Sequence, residues 1–204
     1  AIGTLARVAA ASGHRVIIST GDKDLTQLVT PDVTLMNTMA RPPEVLDAAA
    51  VRAKFGVPPE RIVDYLTLVG DSVDNVPGVD KVGPKTAVKW LAEHGSLDAI
   101  VVAADGIKGA VGENLRRALP WLPTGRKLVT VVTDCDLSAQ VPGWPELDAL
   151  ALREVDKPAL LAFYQRYGFR SFRRELEEGG ATPAASTADG VGGAGTGGSA
   201  AASS

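Results

Sequence analysis

Apolar residues recur at helical spacing from residue 2 to residue 12, and Gly13 ends this pattern. The next apolar segments, RVIIS over 15–19 and VTLMN over 33–37, are short and rich in β-branched residues, which is typical of buried strands. A helical turn, LTQLV, lies between them. Helix, strand, helical turn and strand in this order predict a parallel α/β sheet, with functional groups at the carboxyl ends of its strands.

The pattern in the rest of the folded chain is helical. We predict helices over 44–55, 60–69 and 85–94, a short one capped by Ser96, one or two within 114–132, and a last one over 157–167. Glycines follow the first three of these segments, and glycine commonly ends a helix. The second half is therefore expected to be all-helical.

The composition predicts a disordered C-terminal tail and a cytoplasmic location. Residues 179–204 are rich in Gly, Ala and Ser and cannot bury enough apolar area to offset the entropy of ordering, so we predict a disordered linker. No apolar run approaches the roughly 20 residues that span a bilayer. Cys135 is the single cysteine and no secretory signal opens the chain, so we expect a cytoplasmic protein. The first helix lacks a capping residue, which we interpret as a piece of a longer protein.

The first candidate metal ligands are Asp22 and Asp24. Residues two apart at the end of a strand point to the same side, so both carboxylates could reach one ion. The alternative is an ordinary surface turn, because Gly, Asp and Lys are common turn residues.

The second pair is Asp71 and Asp74. On a helical turn, a spacing of three residues places two carboxylates on one face, which is unfavourable unless a cation joins them. The alternative is helix capping by either aspartate. Asp64 lies seven residues earlier and could face the same way, although such a carboxylate is more often solvated or a capping partner.

Together the two pairs resemble part of a two-metal hydrolytic site. Hard carboxylate oxygens favour Mg²⁺ or Mn²⁺, and two such ions activate water and stabilise the leaving oxygen of a phosphodiester. The isolated His14, His94 and Cys135 offer no zinc or nucleophile pattern, so we interpret them as structural.

A glycine-punctuated hairpin follows directly, over residues 77–86. Glycine allows close approach of a phosphate, and the N–H groups of the next helix could receive the anion. The candidate DNA-binding residues are Gly78, Val79, Lys81, Gly83, Lys85 and Thr86, with Lys89 adding charge. The alternative is an ordinary packing corner between two helices.

These residues carry a family resemblance. GDKDLTQLV (21–29), the segment from FGVPPERIVDY through DNVPGV (55–79) and VGPKTAVKWL (82–91) closely resemble the 5′-nuclease domains of the bacterial DNA polymerase I family, which are flap endonucleases. The resemblance covers about residues 1–172. It implies a Rossmann-like PIN-type nuclease core followed by an all-helical helix-hairpin-helix region, and hydrolysis of DNA or RNA at 5′ flaps and nicks with Mg²⁺ or Mn²⁺ during replication and repair.

By this resemblance, residues 1–57 are the C-terminal part of the nuclease core, 58–178 the helical DNA-binding region and 179–204 the linker. Asp22, Asp24, Asp71 and Asp74 match the catalytic metal ligands. Gly78–Thr86 matches the hairpin that contacts duplex or flap DNA and RNA–DNA primer junctions, with K⁺ at main-chain carbonyls, and a polymerase domain is expected downstream.

The sequence also departs from the family. The family's other metal ligands have no counterpart here, so we expect this chain alone to be inactive or weak. Lys81 stands where the family usually has Gly, which would cost strain if the position requires positive φ. The competing hypothesis is a non-catalytic duplex-binding module.

Overall fold

The computed structural model describes residues 1–178, which fall into two compact units, one from Ala1 to Leu150 and the other beginning at Ala151. The predicted linker 179–204 lies outside the described residues. Within the described residues, no helix is both long and apolar enough to cross a membrane.

The first unit begins with a helix and a three-stranded sheet. These are α1 (Ile2–Ala11), β1 (Val16–Ser19), β2 (Val33–Asn37) and β3 (Glu44–Leu46). β1 pairs parallel to β2, as predicted, with Val16 opposite Val33. A 3₁₀ helix, Lys23–Leu28, connects these two strands. Because it leaves the carboxyl end of β1, it carries the first candidate aspartates.

The helix predicted over 44–55 is wrong at its start. Residues Glu44–Leu46 form β3, antiparallel to β2, and only Ala48–Phe55 is helical (α2). Asp47 sets the boundary, because its Oδ1 accepts a hydrogen bond of 2.8 Å from the N–H of Ala50. Leu46 lies opposite Leu35 in this pair of strands, and both side chains are buried in the core.

Helices form most of the remaining first unit, together with one short β-hairpin. The elements are α3 (Ile62–Val69), β4 (Gly70–Asp71), β5 (Val76–Pro77), α4 (Pro84–His94), α5 (Leu97–Val102), α6 (Gly109–Ala118) and α7 (Leu122–Val129). Short 3₁₀ segments, Pro59–Arg61, Ala104–Gly106 and Asp148–Leu150, complete it. The helical region predicted over 58–178 therefore also contains two short strands, β4 and β5.

α3 is the buried centre of this unit. Its residues Ile62, Leu66 and Leu68 are almost fully buried, and it packs against α4, α5 and α7 as well as the 3₁₀ helix after β1. A helix that is apolar around most of its circumference requires neighbours on several sides, which explains this position. Both candidate sites develop from its C-terminal end at Val69.

The second unit is a pair of helices, α8 (Lys157–Tyr167) and α9 (Arg170–Glu177). α8 matches the predicted helix over 157–167. Asp156 caps it through the N–H of Ala159, at 3.0 Å. The rings of Phe163 and Phe169 stack at 5.9 Å between centroids across the turn that joins the two helices.

Candidate metal and nucleic-acid site

Three carboxylates converge where the 3₁₀ helix meets β4. Asp24, Asp71 and Asp74 each offer one oxygen, and these oxygens lie within 4.8 Å of one another. Three of the four predicted ligands are thus brought together, from parts of the chain nearly fifty residues apart. Carboxylate groups this close repel one another unless a cation or proton lies between them.

Asp22 does not belong to this group of converging oxygens. It caps the 3₁₀ helix instead, because its Oδ1 accepts a hydrogen bond of 2.9 Å from the N–H of Asp24. The chain turns into the 3₁₀ helix at this point, so Asp22 and Asp24 do not lie on a strand as the prediction assumed. The metal-ligand role of Asp22 stays a prediction.

Asp71 and Asp74 reach the cluster by a different route from the predicted helical turn. Asp71 lies in β4 and is 4% exposed, whereas Asp74 is exposed in the turn before β5. The Oδ1 of Asp71 accepts a hydrogen bond of 2.9 Å from the N–H of Val73, which fixes the carboxylate to its own turn. Asn75 takes a left-handed φ of 55°, a conformation that asparagine tolerates, and closes the turn.

Lys23 is a component of the cluster that sequence reasoning missed. Its ammonium donates a hydrogen bond to Oδ2 of Asp71 and forms an ion pair with it. Burial acts to lower the pKa of Lys23, but the bond to Asp71 and the charges of Asp71, Asp24 and Asp74 outweigh it and raise the pKa above the usual range. The same bond lowers the pKa of Asp71, against the opposing effect of burial. The available signal was its place between Asp22 and Asp24.

Asp24 is the carboxylate of the cluster that lacks a full set of polar contacts within the described residues. Burial, reinforced by the charge of Asp22, raises the pKa of Asp24 to about 6. Its Oδ1 is buried without a hydrogen-bond partner in the described part of the chain. Since a buried acceptor without a partner is costly, and hard oxygen ligands suit Mg²⁺ or Mn²⁺, this donor set fits a divalent cation.

Asp64, the further acidic candidate on α3, lies outside the cluster and serves the fold. It is 7% exposed. Its Oδ2 accepts a hydrogen bond of 3.2 Å from the N–H of Leu97, and its carboxylate pairs with Arg126 at 3.2 Å and Arg61 at 3.4 Å. These contacts fasten α3 to the start of α5 and to the last turn of α7.

The predicted DNA-binding hairpin, residues 77–86, exposes two lysines and is held in the core by two buried valines. Val79 and Val82 are buried, while Lys81 and Lys85 are exposed. Lys81 has a φ of 60°, so the concern that this position requires positive φ is confirmed. A bulky side chain is held here in a conformation that glycine adopts at no steric cost.

The hairpin and the acidic cluster share one short ladder. Asp71 lies opposite Val76, and Gly70 lies opposite Pro77, the residue before Gly78. A Cβ on Gly70 would lie 2.3 Å from the nitrogen of Gly78, and a Cβ on Gly78 would lie 2.3 Å from the carbonyl carbon of Val69. Because backbone packs on backbone here, the hairpin is fixed relative to Asp71.

Two residues of the following helices hold the hairpin from behind, and neither was predicted from the sequence. Asn114, 5% exposed on α6, donates a hydrogen bond of 2.8 Å to the carbonyl of Asp80 and is itself bonded by Arg117. The indole N–H of Trp121 donates to the carbonyl of Pro77 at 2.7 Å. Asparagine inside a helix was a weak signal of such a role.

The start of α4 is open to an anion. Gly83 is its N-cap and has no side-chain cap, Pro84 follows in the first turn, and a Cβ added at Gly83 would meet no described atom within 4 Å. The N–H of Thr86 is used internally, donating to the carbonyl of Gly83 at 3.0 Å. A ligand phosphate could thus approach Gly83 and the N–H of Lys85 closely.

Family models match most of this chain. A model described as "5'-3' exonuclease, N-terminal resolvase-like domain" matches residues 1–56, and one described as "5'-3' exonuclease, C-terminal SAM fold" matches residues 57–157. The first therefore contains Asp22 and Asp24, and the second contains Asp71, Asp74 and the hairpin.

Curated proteins that are similar to this chain in sequence are bacterial DNA polymerases I. DNA polymerase I of Pseudomonas aeruginosa is 40% identical over 202 residues, which is 91% of this chain and 21% of the relative. DNA polymerase I of Mycobacterium bovis is 38% identical over 177 residues, 86% of this chain and 19% of the relative. The chain thus spans about a fifth of the length of these relatives.

Solved structures similar to this chain support the fold. A variant of the bacteriophage T5 5′-exonuclease superposes with a TM-score of 0.56 at 21% identity, over 63% of this chain and 54% of that one. A bacteriophage T5 flap endonuclease, described as a pseudo-enzyme-product complex with DNA and metal ions, superposes with a TM-score of 0.58 at 19% identity, over 63% and 47%. The mixed α/β core with a following helical region is therefore the fold of these nucleases.

Proposed function

This chain belongs to the 5′-3′ exonuclease family, and we propose that the protein of which it forms part hydrolyses phosphodiester bonds at 5′ flaps and nicks in DNA, using divalent metal ions. The polymerase of its relatives and the DNA and metal ions of the phage structure are properties of those proteins. They support the proposal because the family models match residues 1–157, which contain both the acidic cluster and the hairpin.

The observation that carries the proposal is the direct link, through β4 and β5, between the acidic cluster and the hairpin. A nuclease of this kind must hold a phosphate backbone at a fixed distance from its metal ions. In this chain, Asp71 is the residue that follows Gly70, and Gly70 packs against Gly78 of the hairpin. Two surfaces of unrelated purpose would not require such a short and rigid connection.

Each group has a defined task in this proposal. Asp24, Asp71 and Asp74 hold the metal ions, with Asp22, the cap of the 3₁₀ helix, as the fourth proposed ligand. Divalent ions bound there would supply a Lewis acid that activates water and stabilises the leaving oxygen. Lys81, Lys85 and the N–H groups of Gly83 and Lys85 attract and position phosphates without reading the base sequence.

The finer assignments follow from the family. We propose Mg²⁺ or Mn²⁺ at the carboxylates, because these ions favour oxygen ligands, and K⁺ at main-chain carbonyls of the hairpin. We further propose duplex and flap DNA and RNA–DNA primer junctions as substrates, a polymerase domain in the same protein, and a bacterial cytoplasmic, nucleoid-associated location.

The test measures cleavage of an end-labelled 5′-flap duplex by the protein, with and without Mg²⁺. Asp71→Asn should reduce cleavage by at least about a hundredfold, since the loss of a group that merely supports a metal ligand already costs ten- to a hundredfold. Glu60→Gln, an exposed carboxylate outside the cluster, is the matched control and should cleave normally. Cleavage that survives both Asp71→Asn and removal of the metal would refute the proposal.

The same substrate decides between a nuclease and a non-catalytic duplex-binding module. Binding of the flap duplex is measured against salt concentration, with and without divalent metal. Salt-dependent binding in a protein that never cleaves favours the binding module, whereas metal-dependent cleavage favours the nuclease. The prediction that this chain alone cleaves weakly is tested in the same assay.

A further inference from the structure

The carboxylate of Asp71 is already engaged at both of its oxygens. Oδ1 accepts a hydrogen bond of 2.9 Å from the N–H of Val73, and Oδ2 accepts one from the ammonium of Lys23. The first bond belongs to the backbone of the turn and cannot be given up without reshaping the turn. A cation that approaches Asp71 from the cluster therefore meets the ammonium of Lys23 at Oδ2, and the two positive charges repel each other there.

Lys23 also supplies the positive charge that the cluster needs. Within residues 1–178, the ion pair with Asp71 is the one that joins any member of the cluster to a basic side chain. When Asp24, Asp71 and Asp74 are ionised, their mutual repulsion is offset locally by this ammonium. A lysine ammonium and a divalent cation thus satisfy the same requirement at the same oxygens.

The two partners of this ion pair differ in freedom. The side chain of Asp71 is 3% exposed and fixed by its turn, whereas that of Lys23 is 39% exposed at the end of a flexible four-carbon stem. Release of the pair consequently moves Lys23 towards solvent and leaves Asp71 in place. The acidic cluster can exchange its cation without rearranging its carboxylates.

We propose that Lys23 is an internal competitor of divalent cations, occupying the Asp71 end of the acidic cluster until a metal ion displaces it. This inference rests on the proposed metal site and goes beyond it, because it assigns to Lys23 a role in setting the affinity for metal. Lys23 stabilises the metal-free cluster and weakens metal binding by the free energy needed to separate it from Asp71. The protein then requires a higher divalent cation concentration than its carboxylates alone would.

The experiment measures Mn²⁺ binding to the protein by electron paramagnetic resonance of the free ion, together with thermal unfolding with and without Mn²⁺. Lys23→Met keeps most of the apolar stem and removes the charge, so it should bind Mn²⁺ about tenfold tighter, as expected for loss of one partly buried ion pair. Its metal-free form should unfold at a lower temperature and gain more from Mn²⁺ than the wild type does. Lys23→Arg retains the competing charge and should bind as the wild type does.

A second background separates competition at Asp71 from general repulsion. In Asp71→Asn the carboxylate that holds Lys23 is gone, so Lys23→Met should no longer lower the unfolding temperature of the metal-free protein. An undiminished destabilisation in this background overturns the proposal, as does equal or weaker Mn²⁺ binding by Lys23→Met alone. If the wild-type protein and Lys23→Met both fail to bind Mn²⁺, the metal site itself is refuted together with the proposal, whereas wild-type binding with no effect of Lys23→Met refutes only the competition.

Discussion

Replacement of Lys81 by glycine should stabilise the protein while weakening its binding to DNA. Lys81 holds a φ of 60°, and a left-handed conformation costs a residue with a Cβ about 1–2 kcal/mol. Glycine removes this strain but loses about 0.5–1 kcal/mol through the greater freedom of the unfolded chain. The net gain is about 0.5–1 kcal/mol, which corresponds to a rise of roughly 1–4 °C in Tm for a chain of this size.

The effect on DNA has the opposite sign because the ammonium of Lys81 is exposed on the hairpin that we propose to contact phosphates. Loss of one phosphate contact lowers the slope of log K against log salt by about 0.9. Extrapolated from 1 M salt, this slope corresponds to roughly eightfold weaker binding at about 0.1 M. Thermal unfolding gives the first quantity, and fluorescence anisotropy with a labelled flap duplex across a salt series gives the second.

Two controls separate strain from charge. Lys81→Asn tolerates the left-handed conformation and lacks the charge, so it should weaken DNA binding as glycine does, whereas Lys81→Arg should bind DNA normally and gain no stability. The reasoning is refuted if Lys81→Gly lowers Tm, or if its salt slope equals that of the wild type. Either result would mean that the hairpin tip is not strained, or that Lys81 does not face the phosphates.

Three further predictions concern the supports of the site. Gly78→Ala should destabilise the protein by about 3 kcal/mol or more in denaturant unfolding, because the new Cβ would lie 2.3 Å from the carbonyl carbon of Val69. The control is Gly83→Ala, whose Cβ meets no described atom within 4 Å and which should cost under about 1 kcal/mol. Asn114→Ala should cost about 1–3 kcal/mol and speed amide exchange of residues 78–83 by mass spectrometry, since the carbonyl of Asp80 loses its donor; unchanged exchange would contradict this role. For pH, the pKa of Asp24 is raised from 3.8 to about 6, so the stability tied to its protonated form is complete below 3.8 and is lost as pH rises through about 6. Thermal scans of the metal-free protein should therefore show that Tm falls as the pH rises from 3.8 to about 6. Added Mg²⁺ should raise Tm more above pH 6 than below it. The lowered pKa of Asp71 has the opposite effect on stability, but only at pH values under 3.8.

Local sequence patterns predicted the parts of this fold that depend on local forces. β1, β2, α4 and α8 follow from apolar spacing with glycine or proline boundaries, and the structure has them where the patterns place them. β3 could not be predicted in this way, because Glu44–Leu46 has no strong strand pattern and becomes a strand only through pairing with β2. Strand propensity reflects neighbours as much as sequence, so a short edge strand carries little local signal.

The candidate site likewise has parts that local sequence predicted and parts that depend on contacts between distant segments. The motif residues Asp24, Asp71 and Asp74 were identified from spacing and resemblance, and the fold brings them together. The cap that Asp22 forms depends on a 3₁₀ turn, and the ion pair of Lys23 depends on a partner 48 residues away in the chain. Such contacts between distant segments leave no periodic trace in a single sequence.

The shared origin of the cluster and the hairpin at the end of α3 has a consequence for how mutations act. Buried α3 leads directly into Gly70 and Asp71 of β4, and Gly70 packs closely against Gly78, so a change in the packing of α3, for example at Leu68, shifts the two sites together and preserves their separation. A change at Asn114 or Trp121 loosens only the hairpin, because these residues bond to Asp80 and Pro77 and not to the cluster. Core substitutions should therefore act mainly through stability, whereas substitutions in α6 or at Trp121 should weaken phosphate positioning at unchanged metal affinity.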